Sequence, residues 1–329
     1  MAKKTAKKAA TKAPKPIQAY AFVDTNIFLD FYRSSNEANL TLLEKLGTVQ
    51  ERIISTYQVE MEFLKNRQDT LLKAIKEVRA EITGSVPAVI TDAQTKEALK
   101  KLRSDGKKRV TTLNNKVGKV LNNPNANDRV YRVLEGIFSS EESHVLTRNM
   151  PVRQQIKRRA MRRFLLGYPP RKSNDTSCGD ALNWEWIIEC SKNLRGRIYI
   201  VSRDGDYGCE HDGEFYLNDQ LKREFRDRVG NKSIVFTKKL SDALRALEVH
   251  VTEKEEAAEE LILAKSDALK WTSSVSTGGG FANYFQQTMN QLQSEELKAA
   301  IENLRKATWE NLRARREGAN QDSEDESPD

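Results

Sequence analysis

The sequence predicts an α/β fold built on a parallel sheet, and three observations point to it. Short β-favouring apolar runs recur along the chain: AYAFV (19–23), RIIS (52–55), IYIVS (198–202), SIVFT (233–237) and LEVHVT (247–252). Segments with helical apolar spacing separate them, and alternating strands and helices imply parallel strands joined by helical crossovers. IYIVS is almost continuously apolar, as a strand covered on both faces has to be.

The elements follow in order. Residues 1–18, MAKKTAKKAATKAPKPIQ, offer almost nothing to bury and read as a disordered basic tail. AYAFV reads as a buried strand ending at Asp24, followed by a turn and a helix, and residues 38–47 continue as helix. After RIIS, Thr56 can cap a helix running from Val59 to about Val78. Residues 79–149 change in texture. Leu99, Leu102, Val110, Leu113, Val117 and Val120 keep a helical spacing among many lysines, broken at NNPNAND (122–128), so this stretch reads as a helical insertion within a domain spanning 19–252. PVRQQIKRRAMRRFLLGYPPRK (151–172) holds eight basic residues and no acid, and the part before Pro169 suits a helix. GDALNWEWIIEC (179–190) reads as a helix, and LSDALRAL separates the last two strands. Residues 253–316 read as a helical C-terminal extension, broken at STGGG (276–280), in which Phe285, Met289, Leu292, Leu297, Ile301 and Leu304 mark an amphipathic helix. Residues 317–329 read as a disordered acidic tail.

Length and charge narrow the function. A chain of 329 residues allows one or two domains and a core that needs neither disulfides nor a structural metal. With 31% charged and 38% hydrophobic residues, it reads as soluble and highly charged. The net charge is +8, and six lysines in residues 1–18 cancel six acids in 317–329, so the excess belongs to the middle of the chain. A basic folded region favours a polyanion, nucleic acid being the usual one, although a solvated basic surface accounts for the charge equally well. No run approaches 18 apolar residues, which excludes a transmembrane helix, and no apolar segment follows the basic start as a secretory signal requires. Cys178, Cys190 and Cys209 fit free thiols in a reducing cytoplasm, and His144, His211 and His250 lack zinc spacing.

In a parallel sheet the chemistry gathers at the C-terminal strand ends. Asp24 ends the first strand, and Asp204 and Asp206 follow IYIVS; Glu62 and Asp180 lie on helices that follow strands. Each has a plain structural reading. Asp24 and the DGD sequence suit turns or caps, Asp180 suits an N-cap, and Glu60 and Glu62 suit a solvated helix face. Trp184 and Trp186 read as packing residues. Four motifs in order change the weighing: FVDTNIFLDFYR (22–33), QVEMEFLKNR (58–67), GYPP (167–170) with GDALNW (179–184), and VSRDGDY (201–207). Together they resemble the PIN-like nuclease domain, over about 19–78 and 150–252, and the second motif selects Glu62 over Glu60. NDTSC (174–178) departs from the Gly- and Lys-rich stretch that the resemblance implies there.

The resemblance implies a three-layer α/β/α sandwich and a Mg²⁺- or Mn²⁺-dependent endoribonuclease acting on single-stranded RNA, leaving a 5′-phosphate and a 3′-OH. Hard cations need oxygen ligands, and a carboxylate cluster supplies them without Cys or His. Asp24, Glu62, Asp180 and Asp204 are the catalytic candidates; Asp24, Asp180, Asp204 and Asp206 are the metal candidates. Asn26 and Ser202 would orient the acids, and Arg153, Lys157, Arg158, Arg162, Arg163, Arg171 and Lys172 would hold the substrate backbone. Three rivals remain. A haloacid-dehalogenase-type phosphohydrolase would need an acid where Asn26 stands. A non-catalytic PIN-like binding module would have lost its acids. A DNA-directed nuclease is not distinguished by charge. A toxin, defence or RNA-processing role stays open, and a toxin would bring an inhibitory partner protein.

Overall fold

The computed structural model describes residues 18–34, 36–82, 93–171 and 177–275. The basic tail up to residue 17, Lys172, the amphipathic segment 285–304 and the acidic tail lie outside the described residues. The chain runs β1 (Ala19–Val23), α1 (Thr25–Arg33), α2 (Glu37–Thr48), β2 (Ile53–Thr56), α3 (Tyr57–Ile82), α4 (Ala93–Asn122), α5 (Pro124–Asn127), α6 (Arg129–Phe138), β3 (Val145–Leu146) and α7 (Arg153–Leu165). It continues as α8 (Gly179–Asn193), β4 (Arg197–Val201), β5 (Gly208–His211), β6 (Glu214–Leu217), α9 (Asp219–Val229), β7 (Ile234–Thr237), α10 (Leu240–Ala246) and α11 (Glu253–Val275).

Five strands form one sheet in the order β3-β2-β1-β4-β7, every pair parallel. Helices flank it, giving the α/β/α sandwich that the strand–helix alternation predicts. Ala21, Phe22, Ile54, Ile198 and Ile200 are fully buried along the central strands, because a sheet covered on both faces has no polar side. The sequence of α8 is buried nearly all round, from Ala181 to Ile188, and α7, α3 and α9 pack on it. Trp184 and Trp186 are packing residues: their ring nitrogens donate to Glu224 and to the carbonyl of His144. Thr56 caps α3 as its position suggests, its hydroxyl accepting from the amide of Val59 at 3.2 Å.

Two sequence expectations need correction, and one element is not foreseen. The stretch 79–149 is not an insertion throughout. α4 and α5 are helical, but β3 extends the sheet beside β2, and Val130, Leu134 and Ile137 of α6 join the main core. LEVHVT is not a strand. Leu247 ends α10, Glu248 takes a φ of 65°, and Leu247 and Val251 are buried as the plugs of a turn. Residues 208–217 form an antiparallel hairpin, β5–β6, that periodicity alone does not reveal.

Candidate active site

Because the strands are parallel, their C-terminal ends lie on one edge of the sheet, and β1 and β4 flank the point where connections leave in opposite directions. Asp24 stands there. Its amide donates to the carbonyl of Val201 at 3.0 Å, so it is tied to the end of β4. Its carboxylate is buried, at 3% exposure. Oδ1 accepts from the amide of Thr25 at 2.7 Å, and Oδ2 accepts from Ser202 Oγ at 2.6 Å and Asn26 Nδ2 at 2.9 Å. Asn26 and Ser202 therefore orient Asp24, as the sequence suggests. The Ser202 hydroxyl in turn accepts from the amide of Asp204 at 3.1 Å, so one side chain fixes two acids.

Burial, and then the nearby charges of Asp204 and Glu62, push the Asp24 carboxyl up to about 7, against the lowering effect of its hydrogen bonds. Glu62 faces the same space from α3. Its Oε2 accepts from Thr25 Oγ1 at 3.2 Å and its Oε1 from Gln58 Nε2 at 2.7 Å. Glu60, on the same helix, stands near Arg148 and Glu135 instead. Asp180 lies in the first turn of α8, whose N-cap is Cys178, so Asp180 is not the cap. The approach of α8 to Glu62 requires Gly179: a Cβ there would stand 2.4 Å from Glu62 Oε1. Four acids from four chain segments thus act on one buried neighbour, Tyr207. After burial, the charges that raise its pKa well above the ordinary phenol value are, strongest first, Asp180, Asp24, Asp204 and Glu62.

Among the described residues no three His, Cys, Asp or Glu side chains are placed so as to hold a metal ion as they stand. The donor chemistry nevertheless fits a hard divalent cation: these are carboxylate oxygens, and Asp24 sits against two like charges that a cation would offset.

A PIN domain family model matches residues 21–207, more than half of the chain, and spans all the acids just described. The chain belongs to the PIN domain family. That membership carries a nuclease-type function and an interaction with nucleic acid, and PIN domains typically use divalent metals. No curated protein and no solved structure matches the chain.

The basic residues divide. On α7 of this PIN domain, Lys157, Arg158 and Arg162 are exposed and line a shallow groove with Met161, Leu165 and Leu166. Arg153 is half-buried, its guanidinium 5.9 Å from the ring of Tyr57, which opens the helix bearing Gln58 and Glu62. Arg163 corrects the sequence reading. It is buried, paired with Glu185 at 3.0 Å and with Glu224, and it donates to the carbonyl of Pro169 at 2.5 Å, so it bolts α7 to α8 and α9. Arg171 also turns inward: it stacks 4.5 Å from the Phe164 ring centroid and donates to the Phe164 carbonyl at 2.9 Å.

Some residues around the site carry no signal of their own in the sequence. Arg203, between Ser202 and Asp204, is buried; its Nε bonds Asp30 at 2.5 Å, its Nη1 the carbonyl of Lys238 at 3.0 Å, and its Nη2 lies 3.9 Å from Glu259. Its amide donates to Asn26 Oδ1 at 3.3 Å. The loop that carries Asp204 is therefore held by α1, the β7–α10 turn and α11. A buried arginine in a loop resembles a surface one until its partners, far away in sequence, are known.

Proposed function

We propose that this PIN domain protein is a metal-dependent nuclease that hydrolyses phosphodiester bonds in single-stranded RNA, cutting internally to leave a 5′-phosphate and a 3′-OH. The observation that carries the reading is that Asp24, Glu62, Asp204 and the start of α8 with Asp180, drawn from four chain segments, are brought together at the C-terminal edge of the sheet. When bound, Mg²⁺ or Mn²⁺ offsets the phosphate charge and supplies an activated water. Asp24, Asp180 and Asp204 would hold the ion, with Asp206 beside them and Glu62 directing the water. Ser202 and Asn26 keep Asp24 in one rotamer. With its carboxyl near 7, Asp24 is partly protonated in the metal-free site at neutral pH, and that proton leaves when a cation takes its place. Lys157, Arg158 and Arg162 supply sequence-independent grip on the backbone.

RNA is preferred to DNA on the leaning of the family. A cytoplasmic location accords with three free cysteines, one of them exposed. Among the described residues no helix is long and apolar enough to cross a membrane. A toxin role would add an inhibitory partner protein covering the acidic edge. The test is incubation with labelled single-stranded RNA or DNA in Mn²⁺, Mg²⁺ or EDTA, beside Asp24→Asn and Asp180→Asn. RNA cleavage that requires metal and vanishes in both variants supports the reading. Cleavage confined to DNA moves the substrate, and binding without cleavage in wild type and variants alike makes the fold a binding module.

A further inference from the structure

Tyr207 leaves the Asp204–Asp206 loop and leads into β5. It has no solvent exposure. Its ring lies 6.4 Å, centroid to centroid, from Phe22, two residues before Asp24, and its carbonyl accepts from the amide of Asn218 at 2.9 Å, so it is fixed from both sides. Tyr207 sits between the Asp204–Asp206 loop and the strand that ends at Asp24, and its buried hydroxyl has no hydrogen-bond partner among the described residues; the charges of Asp180, Asp24, Asp204 and Glu62 all act on it. A buried hydroxyl left unsatisfied costs about 1–3 kcal/mol, which phenylalanine in the same place would avoid.

The chemistry of the neighbouring groups says what kind of partner suits this hydroxyl. Ionised carboxylates only accept hydrogen bonds. A water among them spends both protons on carboxylate oxygens, and its own oxygen then needs a donor. The phenol is such a donor. A phosphodiester is too bulky to reach a group with no exposure, whereas a water needs only about 10–15 Å³ and two to four polar partners. We propose that the Tyr207 hydroxyl is a positioning group, donating a hydrogen bond to a water held among Asp24, Glu62, Asp180 and Asp204. When a carboxylate such as Glu62 takes one of the water's protons, the oxygen gains a third lone pair: one accepts from Tyr207, one would face the bound cation, and one is left, in a fixed direction, for attack on phosphorus. This use of the water rests on the nuclease reading; the binding of the water does not.

The test is Tyr207→Phe, read three ways. Thermal melting should give a Tm no lower than wild type, because no protein hydrogen bond is lost. Steady-state cleavage of labelled RNA in Mn²⁺ should show kcat lowered about 10–100-fold with KM within about twofold, the pattern of a lost transition-state contact. Crystal structures should show a water about 2.6–3.0 Å from the wild-type hydroxyl and none at that point in the variant. An unchanged kcat, a Tm lower by several degrees, or a hydroxyl bonded to a protein oxygen would each overturn the proposal. If the wild-type protein cleaves neither RNA nor DNA, the nuclease reading falls by itself. The crystallographic water then decides for or against Tyr207.

Discussion

Gly179→Ala separates the geometry of the site from the stability of the fold. A Cβ at residue 179 would stand 2.4 Å from Glu62 Oε1 and 2.9 Å from Gln58 Nε2, where ordinary contact begins at 3.4 Å. The Glu62 carboxylate must then retreat by about 1 Å. The retreat is inexpensive for folding, because the obstructing atoms are the ends of two flexible side chains and Gly179 has no positive φ. Gly179 is also the first residue of α8, where alanine gains up to about 0.5–1 kcal/mol in helix propensity. Catalysis is less forgiving: a misplacement of about 1 Å can cost about 10²-fold, or about 2.7 kcal/mol of barrier. The expected variant melts within a few degrees of wild type and cleaves RNA at saturating Mn²⁺ with kcat down about 10–100-fold. Gly118→Ala, inside α4 where a Cβ meets nothing within 4 Å, is the control: it should leave kcat unchanged while gaining up to about 0.5–1 kcal/mol in stability. Wild-type kcat in Gly179→Ala would refute a role for Glu62's position. A collapsed Tm would show that the close approach serves the fold instead.

Other outcomes follow from the charges. Asp24 titrates near 7 in the folded protein, against an ordinary aspartate value of 3.8, so the fold favours its neutral form. Stability from this group is full below about 3.8 and is lost as pH rises through about 7; in EDTA, the Tm of wild type relative to Asp24→Asn should fall between pH 4 and 7 and then level. Mn²⁺ affinity, measured by calorimetry, should move the other way, rising with pH up to about 7 as the competing proton leaves. Arg163→Ala should destabilise towards the low end of about 3–5 kcal/mol in denaturant titration, since Arg228 still partners Glu185 and Glu224. Arg162→Ala should leave stability alone and make the salt dependence of RNA binding shallower by about one counterion. Glu259→Gln removes the charge facing Arg203 at constant size; kcat should fall about 10-fold with RNA affinity unchanged, and an unaltered kcat would detach α11 from the site.

The acids were legible for a physical reason. Parallel strands bring their C-terminal ends to one edge, so acids placed after separate apolar runs converge whatever lies between them. Pairing alone makes the two-residue β3, which gains its ladder from Ser55 and Thr56 and has no pattern of its own. The β5–β6 hairpin had a local signal, Asp212-Gly213, whose φ values of 51° and 80° mark a turn matched to strand twist. LEVHVT alternates like a strand, yet the same apolar residues serve as plugs once Glu248 reverses the chain. Arg163 follows Ile156 and Ala160 on the buried face of α7, so its position on the helix carried the warning that its charge concealed.

The motif positions without chemistry explain how the appended segments belong to the nuclease unit. Asp30 of the first motif pairs with Arg203, whose far side meets Glu259 of α11. Tyr32 and Arg67, from the first and second motifs, both bond Asp128 at 2.6–2.9 Å. Asp128 lies in the stretch that reads as an insertion and Glu259 in the C-terminal extension. Each appended segment thus delivers one buried acid to a motif arginine. Losing the partner of a buried charge typically costs about 3–5 kcal/mol, far more than losing a surface contact. Trimming the protein to the matched residues 21–207 would remove Glu259 and the Lys238 carbonyl from Arg203, and with them the clamp on the loop that carries Asp204. The smallest unit that can keep these acids in register therefore runs from β1 through the first turns of α11.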